Sequence, residues 1–279
     1  MATIEEIFSD LKQDADGRYD NFAIKEVGSI SQIYEDTYLE QPVWLGGDKK
    51  FVCLFIDLDK SSKMSFKKHP ATMAKIYDYF TQTLIDVLSE ESIHAEYVDI
   101  KGDGAFGIFE GDDAAFRALS AALTFGTFFR KYIRPKFQTS SDIINFKATI
   151  HVDKILVKRI GTRGARNNNE VWAGRLVNKA AKLGLVTPHI YAQDTGFSSD
   201  SMSILVISED IFDIFKQKPD YAVNHCGHTV EGGEAGPIGQ LWSEFDSSNI
   251  DELSEDKVYY APGLWCDICQ NDVNGGILN

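Results

Sequence analysis

The sequence predicts an α+β fold of ferredoxin-like type, a central, mainly antiparallel sheet covered by helices. Three observations carry this. Phe51 to Leu58, FVCLFIDL, is a continuous apolar run, the pattern of a central strand covered on both faces. Tyr97 to Phe109, YVDIKGDGAFGIF, reads as two strands meeting at Lys101-Gly102-Asp103-Gly104. From Phe51 to Leu183 the order of elements is strand, helix, hairpin, helix, hairpin, helix.

Each element has a local reason. Residues 1–20 are acidic and amphipathic and read as one helix, and 21–50 read as irregular, with Gly46-Gly47 ahead of the first strong strand. Pro70 suits the first turn of a helix running to about Leu88. The hairpin spans roughly His94 to Phe109. A helix rich in Ala, Leu and Phe follows from about Asp112 to Tyr132, with Asp112 or Asp113 as its cap. Strands are expected at Asn145 to His151 and Lys154 to Val157, then a basic loop, RIGTRGARNNN, then a helix from Asn169 to Leu183. A short helix near Ser208 to Lys216 is the one element read with a definite span beyond that point. The expected division is a lead-in over 1–50, a catalytic domain over 51–220 and a C-terminal extension over 221–279 packed on it.

The 279 residues are 43% hydrophobic and 12% aromatic, enough for a sizeable core. The formal net charge of −14 argues against a nucleic-acid binder, which needs a basic footprint. The N-terminus has no basic start or apolar core of signal-peptide type, and no apolar run reaches membrane-spanning length. A soluble, cytoplasmic protein is expected. Cys53 sits within an apolar strand and reads as a small buried residue.

Asp57 closes the first strand and Asp103 sits at the hairpin tip. On neighbouring strands the two carboxylates come together and repel, unless a divalent cation neutralises them. Mg²⁺ takes oxygen ligands and shares them with substrate phosphates. Two such ions can serve an attacking oxygen and a leaving phosphate. Gly102 and Gly104 allow close approach of backbone and phosphate. Asp-Gly alone is also an ordinary turn signal. Asp57 adds weight, because a charge ending an apolar strand is costly without a partner. Asp59 reads as a further ligand or, more simply, as a solvated residue.

In the expected helix Asn169 to Leu183, Trp172, Leu176, Ala180 and Leu183 make one apolar side. Val171, Arg175, Asn178 and Lys182 make another, with an apolar contact, a cation, an amide and a second cation in a row. At this point the chain resembles a known family. FIDLDKS (Phe55 to Ser61), KGDGAFGIF (Lys101 to Phe109) and VWAGRLVNKAAKL (Val171 to Leu183) are similar to the catalytic motifs of class III nucleotidyl cyclases.

The resemblance implies a class III cyclase fold and a set of roles. Asp57 and Asp103, with the Leu58 carbonyl, would hold two Mg²⁺ or Mn²⁺ ions. Asn178 would orient the ribose, and Lys182 stands where the family usually has a phosphate-contacting arginine. Lysine keeps the charge and loses the fork. Lys154, after TIHVD, resembles a basic residue that contacts the triphosphate. The family builds its sites between two chains, so a head-to-tail homodimer with shared active sites is implied. The implied reaction is attack of the ribose 3′-hydroxyl on the α-phosphate of a nucleoside triphosphate, releasing pyrophosphate.

Adenylate cyclases of this class carry Lys four residues before the second metal Asp, and guanylate cyclases carry Glu. The paired position, seven before the Asn, is Asp or Thr in the former and Cys in the latter. Here the two positions hold Asp99 and Val171, so neither pattern is met. A carboxylate accepts from uracil N3–H, from cytosine N4–H₂ or from guanine N1–H and N2–H₂. Tyr97 shares the strand face of Asp99 and Lys101, and it fills space a purine would use or stacks on a smaller ring. Together with NNNEVWAGRLVNKAAKL, this departure resembles the pyrimidine cyclases of bacterial Pycsar antiphage systems, which make cyclic UMP or cyclic CMP for a separate effector. UTP is the favoured substrate. The alternatives are a guanylate or adenylate cyclase, a degenerate cyclase-like nucleotide-binding or dimerisation domain, and a palm-type nucleotidyltransferase.

In the tail, Cys226 and His228 (NHCGHT) with Cys266 and Cys269 (WCDIC) allow two readings. One is a tetrahedral structural Zn²⁺ site, with His225 as a replacement ligand. The other is reduced thiols beside a polar histidine, favoured by a Cys-x-His spacing unusual for zinc.

Overall fold

Two sheets organise the chain. The computed structural model describes residues 3–35, 43–47, 49–139, 143–160, 169–193, 204–217 and 242–265. In chain order the elements begin with α1 (Ile4–Asp20), β1 (Lys25–Val27), α2 (Ile30–Glu35), β2 (Val43–Leu45), β3 (Phe51–Leu58), α3 (Ser61–Lys67) and α4 (Pro70–Ser89). Next come β4 (Tyr97–Lys101), β5 (Gly104–Phe109), α5 (Ala114–Phe128), α6 (Arg134–Phe137), β6 (Phe146–Asp153), β7 (Ile155–Ile160) and β8 (Asn169–Ala173). The last are α7 (Arg175–Leu183), α8 (Val186–Gln193), β9 (Ile204–Ser208), α9 (Glu209–Lys216), β10 (Ser243–Phe245) and β11 (Val258–Pro262).

The described residues fall into two units. The smaller joins the residues up to Lys49 with Ile155–Ala173. Its sheet has the order β1-β2-β7-β8, so residues 21–50, expected to be irregular, contribute two strands and a helix. At its start Thr3 and Glu6 cap α1 reciprocally, Glu6 N–H donating to Thr3 Oγ1 and Thr3 N–H to Glu6 Oε2.

The larger unit holds a seven-stranded sheet of order β10-β11-β9-β6-β3-β5-β4. Among its described strands only the β6–β9 pair is parallel, which bears out a mainly antiparallel sheet. Residues beyond 221 supply its two outermost strands on one side, β10 and β11.

Strand alternation divides this sheet into two faces. Val52, Leu54, Ile56 and Leu58 of β3, with Phe146, Ala148, Ile150 and Val152 of β6, pack into the core beneath α4 and α5. There Phe80 meets Phe125 edge-on at 5.0 Å between ring centroids. The opposite face carries Cys53, Phe55 and Asp57 of β3 and Lys147, Thr149, His151 and Asp153 of β6. Helix α7 lies over it, and Thr149 Oγ1 donates to the Ala180 carbonyl at 2.6 Å.

Arg117 of α5 ties the β4–β5 hairpin at its base. Its guanidinium donates to the carbonyls of Ile93 (3.0 Å), His94 and Glu110, and to the Glu96 carboxylate at 3.1 Å. Asp113 occupies the cap position of α5 without making a cap bond. Its carboxylate instead accepts from Arg117 Nε at 3.0 Å. The helix then passes into one π turn, Phe129–Ile133, immediately before Arg134-Pro135.

A second expectation is corrected. The helix predicted from Asn169 to Leu183 is a strand, β8, followed by a helix that starts at Arg175. Gly174 stands between them with φ 96° and ψ −170°, a conformation that suits glycine and breaks the helix there. Asn169–Ala173 pairs antiparallel with Ile160–Leu156 of β7, which uses the β preference of Val171 and Trp172. Val171 and Trp172 therefore belong to a strand, and the row of Arg175, Asn178 and Lys182 continues without Val171.

Candidate active site

The site begins with register. Asp57, at the end of β3, has Gly104 of β5 as its Cα partner on one side and Lys147 of β6 on the other. Gly104 follows Asp103, and the Leu58 amide faces the Asp103 carbonyl at 3.4 Å. Gly102, with φ 63°, turns the hairpin so that Asp103 comes beside the end of β3. The two carboxylates predicted to meet are thus neighbours in the fold.

Burial raises the Asp57 carboxyl above its ordinary value. The Lys147 ammonium opposes that shift, and the charge of Asp103 adds to it. Lys147 Nζ lies 3.1 Å from Asp57 Oδ2, with both side chains about three-quarters covered. The end of β3 therefore holds a partly desolvated carboxylate, a second carboxylate beside it, and a cation seated on the first. Asp59, read as solvated, is buried, and its amide donates to the Asn145 carbonyl at 2.9 Å.

The donor set fits a divalent cation. Oxygen ligands from Asp57, Asp103 and the Leu58 carbonyl are of the hard type that Mg²⁺ and Mn²⁺ take. Lys147 already stands in for a positive charge at one of them. Among the described residues no group of three or more His, Cys, Asp or Glu side chains converges. Two carboxylates match an ion whose other ligands are substrate oxygens and water.

The strand β4 presents Tyr97, Asp99 and Lys101 on the face that holds Asp57, with Ile108, Phe106 and Gly104 of β5 as their partners. The Tyr97 ring lies 6.1 Å from Phe106, tilted by 44°. Asp99 Oδ2 is 2.6 Å from Lys101 Nζ, so the carboxylate expected at the base carries an ammonium beside it. Sequence reading placed Lys101 on this face without assigning it the pairing.

On α7 one side is buried through Leu176, Ala180 and Leu183. Arg175, Asn178 and Lys182 are exposed. Arg175 Nε contacts Asp153 Oδ2 at 3.1 Å, and the neighbouring Lys154 is exposed with its amide on Asp153 Oδ1. Asp153 thus links Arg175 to the strand end where Lys154 stands. Val171 belongs to the smaller unit, and Arg175, Asn178 and Lys182 to the larger. Cys226, His228, Cys266 and Cys269 lie outside the described residues, as does His225. Cys53 is buried with a free thiol, which burial pushes up, as its strand position implied.

Lys147 and Arg117 were missed by sequence reasoning. A lysine interrupting the apolar alternation FKATIHV at the position opposite a strand-end aspartate was the available signal for Lys147.

No protein-family model matches the chain. It is 30% identical over 254 residues to a uridylate cyclase from Propioniciclava tarda, covering 89% of this chain and 72% of that protein. It is 36% identical over 134 residues to a uridylate cyclase from Micromonospora echinofusca, covering 47% of this chain and 43% of that one. Its fold is similar to the guanylyl cyclase Cya2 (TM-score 0.51, 13% identity, 78% of this chain and 94% of that chain). The guanylate cyclase domain of RhGC from Catenaria anguillulae, solved in complex with GTP, gives a TM-score of 0.51 at 14% identity over 76% of this chain and 96% of that chain. Asp57 near the end of β3 beside Asp103 in the β4–β5 turn, an exposed Asn178 row and a relative matched along most of both chains lead to one assignment: this chain is a nucleotidyl cyclase of class III, in the pyrimidine-cyclase family.

Proposed function

We propose that the chain converts UTP to 3′,5′-cyclic UMP and pyrophosphate. The observation that carries the choice of base is Asp99, set on one face with Tyr97 and beside Lys101. An ionised carboxylate only accepts, so it suits uracil N3–H and cannot serve the unprotonated adenine N1. Lys101 adds a donor of the kind that a uracil carbonyl takes. The uridylate cyclases among the relatives support the same choice.

Asp57, Asp103 and the Leu58 carbonyl would hold two Mg²⁺ or Mn²⁺ ions, which supply charge neutralisation at the α-phosphate and the departing pyrophosphate. Lys154 and Lys182 bring cations to the triphosphate, and Asn178 holds the ribose. Arg175 completes the substrate contacts, steered by Asp153. The exposure of Asn178 and Lys182, on a helix whose other side is buried at home, supports a head-to-tail homodimer with shared sites. By resemblance, the product signals to a separate effector in antiviral defence, from the cytoplasm. Among the described residues no helix is long and apolar enough to cross a membrane.

Incubation with each of the four nucleoside triphosphates and Mn²⁺, read by mass spectrometry, tests the reading. Cyclic UMP is expected, and it disappears in Asp57→Ala. Cyclic GMP alone would sink the pyrimidine assignment, and cyclic CMP alone would move it to CTP. Mixing inactive Asp57→Ala with inactive Asn178→Ala restores activity if the sites are shared between chains.

A further inference from the structure

We propose that Lys147 is the resident counter-ion of the cyclase metal site, occupying the charge position on Asp57 until a divalent cation displaces it. The inference rests on the reading of Asp57 and Asp103 as metal ligands. Its own support is geometric. Lys147 is the register partner of Asp57, and its Nζ sits 3.1 Å from Asp57 Oδ2. The ammonium thus lies where an ion bound to that oxygen meets strong like-charge repulsion.

The pair also sets a cation where two carboxylates adjoin. Asp57 is largely covered and lies next to Asp103. An ammonium in contact offsets the repulsion between them. The aliphatic stem of Lys147 runs past the end of α7, its Cδ 3.4 Å and its Cε 3.7 Å from where a Cβ on Gly184 would stand. Metal entry therefore exchanges one cation for another: the Lys147–Asp57 contact breaks and the ammonium moves off. The free metal consequently binds weakly, and the incoming triphosphate gives the released ammonium a new anion to face.

Two measurements on the full-length protein test this. Mn²⁺ alone is titrated and its free fraction followed by electron paramagnetic resonance. Lys147→Met is expected to bind Mn²⁺ about tenfold more tightly than wild type. Its metal-free form should also melt at a lower temperature. In wild type, amine acetylation of Lys147, read by peptide mass spectrometry, is expected to rise about threefold when Mn²⁺ is added, as the contact opens. Acetylation of Lys147 unchanged by saturating Mn²⁺ would overturn the displacement, as would equal or weaker Mn²⁺ binding by Lys147→Met. If Asp57→Ala binds Mn²⁺ as wild type does, the metal reading itself fails and the inference falls with it. Asp57-dependent binding with an indifferent Lys147 overturns the inference alone.

Discussion

Asp57 and Gly104 face each other across β3 and β5, so closely that a Cβ on Gly104 would lie 2.9 Å from Asp57 Oδ1 and 2.5 Å from the Ile56 carbonyl. The glycine following Asp103 is therefore required by the space around Asp57, independent of any turn geometry. Gly104→Ala must push the strands apart at the point where the two carboxylates meet. We expect it to cost about 1–3 kcal/mol of stability and most of the cyclase activity. Thermal melting and pyrophosphate release check this; an alanine variant with wild-type turnover would show that the approach is not needed.

Gly174→Ala addresses the strand-to-helix junction. At φ 96° and ψ −170° an alanine is strained by about 1–3 kcal/mol. The strain is relieved by shifting the start of α7, which carries Asn178 and Lys182. A lower melting temperature together with a fall in kcat is the expected result. Loss of stability with kcat intact would separate the junction from the chemistry.

Asp99→Ala removes the acceptor proposed for the base and frees Lys101. The expected loss is about 10- to 100-fold in kcat/KM for UTP. Mn²⁺ binding in the absence of nucleotide should hold, because Asp57 and Asp103 are untouched. Unchanged kcat/KM for both UTP and CTP would mean that the base is read elsewhere.

His151 sets a pH dependence of stability. It is 1% exposed, its Nδ1 is 2.9 Å from Ser208 Oγ, and burial, reinforced by the Lys179 charge, lowers it from 6.5 to about 4. Between these values the unfolded chain takes up a proton that the folded chain refuses. Stability is thus fully present above pH 6.5 and lost as the pH falls towards 4, with a slope of up to about 1.4 kcal/mol per unit from this group. Melting temperatures between pH 4 and 7 should fall less steeply for His151→Gln. Parallel curves for the two proteins would exclude His151 as the source.

The legible parts of the fold were those written in local periodicity. FVCLFIDL forms β3 at the expected residues, and the hairpin turns where Gly102 permits it. Spacing misled at Asn169–Ala173, because Trp172 falls in phase with Leu176, Ala180 and Leu183 while belonging to a strand. The punctuation was Gly174, whose effect outweighs the phase. Within the site, Asp57 and Asp103 announce themselves as charges in apolar surroundings. Their neighbour Lys147 does not, since its contact with Asp57 follows from how β6 registers on β3. The same holds for Arg117, whose partners are mostly backbone carbonyls that leave no trace in side-chain pattern.

Arg117 has a bearing on how such a protein changes over time. It fixes the root of the β4–β5 hairpin through Ile93, His94, Glu96 and Glu110, while β3 fixes the tip beside Asp57. Tyr97 and Asp99 lie on the span between two anchored ends. Side chains there can be exchanged without moving Asp57 and Asp103. On the proposed reading of Asp99, a lineage built on this hairpin is free to alter which messenger it makes by a few substitutions on one strand, keeping its reaction intact throughout.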